Sequence, residues 1–248
     1  MSGHNKWSSI KHKKGATDAK RGKIFTRIVK EIILAAKSSG DPDMNPRLRT
    51  AIAAAKENNM PKDNIERAIK RGTGEIEGAA YEEITYEGYG HNGVGIVVEA
   101  MTDNKNRTVA EIRHAFSKYG GNMAESGAVA WNFEQKGFMN VPAVGLDEDE
   151  FMMQALEAGA EDVELNDEYF DIYTSPGDFH SVITSLEKMG FPVKNAELTR
   201  VPKNTINADD VASKLMKLID FLEDLDDVQK VYANFELSDE VMEKLERE

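Results

Sequence analysis

Hydrophobic side chains near the start of the chain recur at the spacing of a helix. Between Ile24 and Ala36 they fall three and four residues apart, which places them along one side of an α-helix. We predict a helix that begins after Thr17 or Asp18, since either side chain can act as an N-cap. It should end near Ser39, where Ser-Ser-Gly favours termination.

Two shorter helices follow in the same region. Asn45-Pro46 supplies an N-cap and a first helical position, and the alanine-rich helix that it opens should reach Glu57. Pro61 breaks the pattern, and a third helix is predicted to end at Gly72. We therefore predict that residues 1–75 form a basic helical domain, preceded at its start by a flexible tail.

From residue 76 onward the pattern alternates between strands and helices. Two strand segments joined by a glycine-rich turn precede a helix, which we predict to begin at the capping box Thr108-Val-Ala-Glu111. A further strand should follow this helix. The predicted segments are strands at 84–87 and 94–101, a helix at 108–119 and a strand at 129–133.

Residues 135–204 show the order strand, helix, strand, strand, helix, strand, which is typical of a ferredoxin-like domain. These segments are predicted at 138–141, 148–158, 163–165, 169–173, 179–189 and 197–201. A helix at 209–225 and a strand at 228–235 then have no partners of their own. We infer that they complete the unfinished sheet of 76–134.

The predicted fold class is therefore α+β: an N-terminal three-helix domain followed by two α+β (ferredoxin-like) domains, the third inserted into the second. The predicted boundaries are 1–75 for the helical domain, 76–134 plus 205–248 for the discontinuous domain, and 135–204 for the insertion.

Charge divides the chain close to the first predicted boundary. Up to Gly72 the sequence has 17 Lys and Arg against 7 Asp and Glu, a formal charge of +10. The remaining 14 basic and 37 acidic residues give −23, for a total of −13. Such segregation indicates a nucleic-acid-binding module attached to acidic domains.

Composition excludes several classes of protein. The sequence has no cysteine, so disulfides, zinc ribbons, iron–sulfur clusters and thiol catalysis are excluded, and a cytoplasmic location is expected. The apolar run Ile32-Ile-Leu-Ala-Ala36 is too short for a signal peptide. No stretch approaches the ~18 apolar residues of a membrane span, so no membrane partner is expected.

Motifs for catalysis and metal binding are weak. The five histidines have no metal-ligand spacing, and Gly90-x-x-Gly93-x-Gly95 precedes a strand, which is the wrong context for a dinucleotide loop. Two carboxylate runs, 147–150 and 223–227, lack the pattern of a calcium loop, and we interpret both as solvated helix ends. We therefore predict a non-enzymatic protein with no catalytic residues, metal, cofactor or small-molecule substrate.

Basic residues in several places are candidates for nucleic-acid contact. The tail can release counterions from phosphates, and Trp7 can stack on an unpaired base. The predicted first helix has a ridge of cations, formed by Lys20, Lys23, Arg27, Lys30 and Lys37. Their mutual repulsion should be compensated by a partner outside the helix. The third helix and the loop 102–108 add further cations. The candidate residues are Lys6, Trp7, Lys11, His12, Lys13, Lys14, Lys20, Arg21, Lys23, Arg27, Lys30, Arg67, Lys70, Arg71, Lys105 and Arg107.

Seven segments spread along the chain form a specific set of motifs. They are Gly3-His-Asn-Lys-Trp7, Ile10-Lys-His-Lys13, Asn45-Pro-Arg-Leu-Arg49, Asn59-Met-Pro-Lys-Asp-Asn-Ile-Glu-Arg-Ala-Ile69, Tyr86-Glu-Gly-Tyr-Gly90, Thr102-Asp-Asn-Lys-Asn-Arg-Thr108 and Arg113-His-Ala-Phe-Ser-Lys118. With these motifs the sequence resembles the YebC/PmpR family over essentially its whole length. It departs from the family pattern at two sites: His91-Asn92 replaces Pro-Gly ahead of Gly93, and Asn132 replaces a larger apolar residue.

The resemblance implies three domains, with the third inserted into the second, and a cytoplasmic transcriptional regulator that binds DNA. It also implies an alternative. A mitochondrial branch of the family consists of translational activators, and bacterial members are associated with the ribosome and with relief of stalling at proline-rich stretches. The expected partner is therefore nucleic acid, either DNA or ribosomal RNA in the ribosome.

The residues themselves leave these two partners open. Duplex DNA calls for a symmetric dimer and a helix shaped for the major groove. Segment 64–71 is the candidate helix, although Asp63 and Glu66 repel phosphate. A flexible basic tail with an aromatic residue is better suited to structured RNA, on which it would become ordered.

Overall fold

The computed structural model describes residues 18–166 and 168–247, which form two compact units. Unit 1 contains the described residues up to Trp131 and from Asn204 onward, and unit 2 contains Asn132–Lys203. Their elements confirm the predicted α+β fold class, with a helical region followed by two sheet-containing domains. The exact domain boundaries stay predictions.

Helices and strands are numbered along the chain. The helices are α1 Asp18–Ala36, α2 Pro46–Glu57, α3 Lys62–Gly72, α4 Lys105–Lys118, α5 Glu148–Glu157, α6 Phe179–Lys188, α7 Ala212–Asp224 and α8 Asp239–Arg247. The strands are β1 Glu82–Tyr89, β2 Gly95–Thr102, β3 Asn122–Ala124, β4 Phe133–Pro142, β5 Asp162–Asn166, β6 Tyr169–Thr174, β7 Lys194–Pro202, β8 Ile206–Asn207, β9 Val228–Ala233 and β10 Phe235–Glu236. Within the described residues, no helix is long and apolar enough to cross a membrane.

Helices α1, α2 and α3 pack around an apolar cluster that includes the fully buried Leu48. Asn45 organises the connection between α1 and α2. Its Oδ1 accepts a hydrogen bond from Leu48 N at 3.1 Å, and its Nδ2 donates to Ala35 O at 2.8 Å. Because this amide binds a carbonyl of the last turn, α1 ends at Ala36 instead of near the predicted Ser39.

The sheet of unit 1 has the strand order β3-β1-β2-β9. Strand β9 pairs antiparallel with β2, with Val231 opposite Val98. Helices α4 and α7 contribute Phe116 and Leu218 to the same buried cluster. Residues after unit 2 therefore complete a sheet that begins before it, as predicted. Strands β8 and β10 form a separate parallel pair.

Unit 2 has the strand order β5-β6-β4-β7, which is the ferredoxin-like arrangement of a βαββαβ chain. Its core combines Phe151 of α5 and Phe179 of α6 with Met139 of β4. The acidic run 147–150 opens α5, because Asp147 Oδ1 accepts a hydrogen bond from Glu150 N at 3.0 Å. These carboxylates lie at a helix N-terminus, where the helix dipole favours them.

A loop replaces part of the strand that the sequence predicts at 129–133. Residues Ala130–Asn132 form a 3₁₀ turn, and β4 begins only at Phe133. Backbone N–H groups in this loop bind the carboxylate of Glu87 and therefore cannot join a strand ladder. The strand prediction is wrong for the residues before Phe133.

Glu87 lies in β1 and is only 4% exposed. Its carboxylate accepts hydrogen bonds from Gly127 N at 2.7 Å, Val129 N at 2.6 Å and Ala130 N at 2.8 Å. One buried side chain thus satisfies three donors of the loop. The indole of Trp131, which is 65% exposed, follows directly and is positioned by this anchored backbone.

The start of α4 also differs from the prediction. Asn104 caps the helix by accepting a hydrogen bond from Arg107 N at 3.1 Å, and the helix begins at Lys105. The capping box predicted at Thr108 is wrong, because this residue lies in the first turn and its hydroxyl binds Asp227. Strand β3 and helix α8 are not predicted from the sequence. Strand β3 is too short to show an alternating pattern.

The turn between β1 and β2 contains the position at which Asn92 replaces the glycine of the YebC/PmpR pattern. Asn92 adopts a φ of 56°, a left-handed conformation that glycine and asparagine tolerate better than other residues. Its Nδ2 also donates to Asp210 Oδ1 at 2.8 Å. Asparagine can therefore occupy a glycine position here.

Replacing Glu87 by alanine should destabilise unit 1 by about 2–4 kcal/mol, because three backbone donors lose their buried acceptor. Urea unfolding followed by circular dichroism measures the change. The fluorescence of Trp131 should change in the native state as well, since the loop loses its anchor.

Glu125 provides a matched control, because it is an exposed carboxylate in the same loop. The variant Glu125→Ala should stay within about 0.5 kcal/mol of the parent protein. Equal effects of the two substitutions would show that the Glu87 carboxylate is not the anchor.

Candidate nucleic-acid interface

The cationic ridge of α1 contacts the end of α7 and the turn that follows it, all within unit 1. Lys23 Nζ donates to the carbonyl oxygen of Asp224 at 2.8 Å and to its Oδ1 at 3.0 Å. Arg27 Nη2 donates to the carbonyl oxygen of Glu223. The ridge therefore has a partner outside its own helix, as its like charges predict.

Lys30 makes the buried contact of this ridge. It is 5% exposed, and its Nζ lies 2.9 Å from Asp227 Oδ1. The same Nζ donates to the carbonyl oxygens of Asp226 at 2.9 Å and Met101 at 3.2 Å. It also lies 5.5 Å from the centre of the Tyr81 ring. The ammonium group thus has an acceptor for each proton, which a buried charge requires.

Asp227 also binds the loop 102–108. Arg107 Nη2 lies 2.7 Å from Asp227 Oδ2. The hydroxyl oxygens of Thr108 and Thr102 lie 2.8 and 3.1 Å from the same carboxylate oxygen. Two candidate regions, the ridge of α1 and this loop, therefore converge on one carboxylate that is 3% exposed.

The neighbouring cations keep Asp227 ionised in spite of its burial. Burial acts to raise the pKa of Asp227, but hydrogen bonds from Arg107, Lys30 and Thr108 outweigh it and lower the pKa to about 2. The contact with Asp227, supported by Asp103, also raises the pKa of Arg107 above its ordinary value. The cluster is therefore a buried anion held between two cations.

The outer contacts of the ridge are weaker. Burial lowers the pKa of Arg27, while the neighbouring carboxylates, led by Glu223, act in the opposite direction. The pair Lys23–Asp224 is largely exposed, and such pairs contribute about 0–1 kcal/mol. The most buried ion pair of the ridge is therefore the one between Lys30 and Asp227.

Lys105 is paired at the surface. Its Nζ lies 2.7 Å from Glu82 Oε2, and this hydrogen bond raises the pKa of Lys105 and lowers that of Glu82. The candidate cations that have partners within the chain are Lys23, Arg27, Lys30, Lys105 and Arg107.

Three candidate cations of α3 differ from these. Arg67, Lys70 and Arg71 are exposed, and none of them forms an ion pair with another described residue. Lys70 and Arg71 lie in the last turn of the helix, where positive charge is favoured by the helix dipole. Their charge remains available to an external anion.

The side chains of the remaining candidates are not among those that the structure describes. Those in the tail are Lys6, Trp7, Lys11, His12, Lys13 and Lys14. Lys20 and Arg21 belong to α1, but their side chains are not among those described. Their roles stay predictions.

Asp227 is the residue of this region that sequence reasoning missed. The interpretation of 223–227 as a solvated helix end is wrong for Asp227, which is buried and binds two cations. Two features of the sequence indicated such a residue: the ridge of α1 has no counter-ions on its own helix, and an acidic run lies elsewhere in the chain. Charge alone does not show which carboxylate of that run is buried.

The two regions of the chain match two parts of one family. Residues 5–75 match the family model described as "TACO1/YebC protein N-terminal domain", and residues 81–235 match the one described as "TACO1/YebC second and third domain". The chain belongs to the TACO1/YebC family. The resemblance to YebC/PmpR proteins is thereby confirmed.

Relatives cover this TACO1/YebC chain almost completely. A "probable transcriptional regulatory protein" from Sulfurihydrogenibium sp. (strain YO3AOP1) is 58% identical over 250 residues, which are 99% of this chain and 100% of the relative. Another, from Geobacter sulfurreducens, is 57% identical over 247 residues, again 99% and 100% of the two chains.

A solved structure shares the fold of the TACO1/YebC chain. The crystal structure of a conserved hypothetical protein from Aquifex aeolicus superposes with a TM-score of 0.82 at 50% sequence identity. The match covers 90% of this chain and 93% of that one.

Replacing Asp227 by asparagine should lower the free energy of unfolding of unit 1 by about 3 kcal/mol at neutral pH, because Lys30 and Arg107 lose a buried counter-ion. The folded pKa of Asp227 lies below its ordinary 3.8, at about 2. Its contribution is therefore complete above about pH 4 and is lost as the pH falls to about 2. Urea unfolding of parent and variant at several pH values should show their difference shrinking across this range.

Asp226 offers a matched control, because it precedes Asp227 and its side chain is exposed. The variant Asp226→Asn should change stability by less than about 0.5 kcal/mol. A pH-independent difference between the parent protein and Asp227→Asn would contradict the ionised, cation-bound state of this carboxylate.

Proposed function

We propose that this chain is a non-enzymatic, nucleic-acid-binding regulator of gene expression, and that its contact surface consists of the N-terminal tail and the exposed cations of α3. Relatives are named as probable transcriptional regulatory proteins, which supports the regulatory part. The nucleic-acid part rests on the distribution of charge within unit 1.

The observation that carries the proposal is the separation of the candidate cations into two sets. One set is neutralised by carboxylates and carbonyl oxygens of the same chain. The other set, Arg67, Lys70 and Arg71, is exposed without an ion-pair partner among the described residues. Unpaired, adjacent cations gain most from phosphate, since each contact releases condensed counterions.

The acidic remainder of the chain restricts where nucleic acid can bind. Residues after Gly72 carry 14 basic and 37 acidic side chains, so their net field repels phosphate. The tail and α3 belong instead to the part with a formal charge of +10. Nucleic acid therefore binds unit 1 on its basic helical region.

Duplex DNA and structured RNA remain the two candidate ligands, and α3 itself favours an unpaired segment of RNA. Asp63 and Glu66 are exposed beside Arg67 on this helix. Carboxylates placed in a duplex groove lie close to the phosphates of both strands, which is unfavourable. A single strand can present bases to the carboxylates and phosphates to the cations. The names of the relatives favour DNA.

Replacing Arg67, Lys70 and Arg71 together by alanine in the full-length chain should weaken binding and flatten its dependence on salt. With one phosphate contact per cation, the slope of log K against log salt should fall by about 2 for a single strand and about 3 for a duplex. Fluorescence anisotropy with labelled single-stranded RNA, single-stranded DNA and duplex DNA across a salt titration measures both effects.

A matched control removes the same charge from the acidic remainder. Lys214, Lys217 and Lys244 are exposed, and their triple alanine variant should keep the slope of the parent protein. In a parallel variant of the tail, Lys11, Lys13 and Lys14 are replaced by alanine. This change should reduce the slope of log K against log salt by about as much as the α3 variant does. An unchanged affinity and slope in the α3 variant would exclude this helix from the contact surface.

A further inference from the structure

Four charged side chains of α3 follow one another along a single face of the helix. Asp63, Glu66, Arg67 and Lys70 are three, one and three residues apart, which places them on one stripe of the surface. Together with Ile76 they line a shallow, open depression, here called the α3 groove. Its N-terminal half is acidic and its C-terminal half is basic.

The segment after α3 forms the second wall of the groove. Ile76 N donates a hydrogen bond to Lys70 O at 3.2 Å, so the chain turns back along the helix instead of leaving it. The Ile76 side chain remains 40% exposed. The groove therefore offers an apolar surface next to four charged groups.

The carboxylates of the groove are open to a ligand. Asp63 is exposed and has no hydrogen-bond or ion-pair partner for its side chain among the described residues. Glu66 Oε1 lies 3.4 Å from Lys62 Nζ in an exposed pair, a contact weak enough to be displaced. Among the side chains that the structure describes, one unpaired carboxylate, Asp63, and one weakly paired carboxylate, Glu66, therefore lie beside the unpaired cations Arg67 and Lys70.

We propose that the α3 groove binds an unpaired guanine base of a single-stranded nucleic acid. This rests on the proposed function and adds a base-reading role to the same helix. The Watson–Crick edge of guanine presents two parallel N–H donors, which a carboxylate of Asp63 or Glu66 accepts as a pair. Ile76 contacts the face of the ring, and Arg67 and Lys70 bind the adjoining phosphate.

The other bases fit these acceptors less well. Cytosine and adenine each present one amino group beside a ring nitrogen that is itself an acceptor and repels a carboxylate. Uracil presents one N–H between two carbonyl oxygens. In a duplex this edge is already paired. The groove should therefore prefer guanine over the other bases. It should also prefer a single strand over a duplex.

Asp63 could instead serve only the helix. It lies in the first turn of α3, where a negative charge is favoured by the helix dipole. Its replacement would then change stability without changing the choice of base. The preference for guanine over uracil therefore distinguishes a base-binding role of Asp63 from a role in stabilising the helix.

The test uses the full-length chain and fluorescence anisotropy. In the first arm, one labelled RNA strand is oligouridine with a single central guanosine, and the control strand contains uridine alone. The second arm uses the corresponding pair of DNA strands, in which thymidine replaces uridine. The parent protein should bind the guanine-containing strand about tenfold more tightly. The double variant Asp63→Asn with Glu66→Gln should bind both strands equally. The variant Arg67→Ala with Lys70→Ala should weaken both by the same factor.

The two arms identify whether ribose or deoxyribose strands are preferred, and thermal unfolding verifies that each variant is folded. As a matched control, Asp43→Asn with Glu57→Gln removes two exposed carboxylates of the same helical region and should keep the guanine preference.

A guanine preference that survives in the Asp63/Glu66 variant would overturn the groove as its source. Equal binding of both strands by the parent protein would overturn the guanine site while leaving nucleic-acid binding intact. Failure to bind any of these strands would overturn the guanine site, and failure to bind duplex DNA as well would overturn the proposed function itself.

Discussion

One buried carboxylate links the helical region of unit 1 to its sheet. Asp227 receives Lys30 from α1 on one oxygen and Arg107 from α4 on the other. The apolar cluster of the three N-terminal helices is separate from that of the sheet, so apolar packing within each cluster does not by itself fix their relative placement. A buried ion pair contributes little net stability when compared with apolar packing. Its effect here is geometric, because Lys30 of α1 reaches one oxygen while Arg107 and Thr108 of α4 bind the other.

This arrangement changes how the charge of the N-terminal region should be understood. The count of basic residues suggests a uniformly cationic module, yet Lys23, Arg27 and Lys30 of the ridge are paired within the chain. Helix α3 packs in the same apolar cluster as α1, and its cations are exposed. One group of basic residues therefore joins the helical region to the sheet, and the other stays exposed to solvent. Their roles differ although their composition does not.

Local signals predicted the elements whose determinants are close in sequence. Asn45 and Pro46 start α2 as predicted, and Gly72 ends α3. Two errors arose where a distant side chain decides the backbone. Glu87 holds the loop before Phe133, and Asp227 binds Thr108, which is thus not a helix cap. No pattern within a window of neighbouring residues contains those partners.

In the candidate site, too, the contacts between residues distant in sequence could not be predicted from local patterns. The ridge of α1 was recognisable from its spacing, and its need for a partner followed from like-charge repulsion. The choice of Asp227 among the carboxylates of 223–227 depends on how β9 joins β2, which is a property of the assembled sheet. Exposure decides which cations stay available, and exposure is a tertiary property that the spacing of Arg67, Lys70 and Arg71 does not reveal.

The distance along the chain between Lys30 and Asp227 has a consequence for biosynthesis. The two residues are 197 positions apart, and all of unit 2 is translated between them. At ~5–20 residues per second, Lys30 is made about 10–40 s before its counter-ion. During that interval the ridge cations face solvent, so the nascent chain is a more basic molecule than the finished protein.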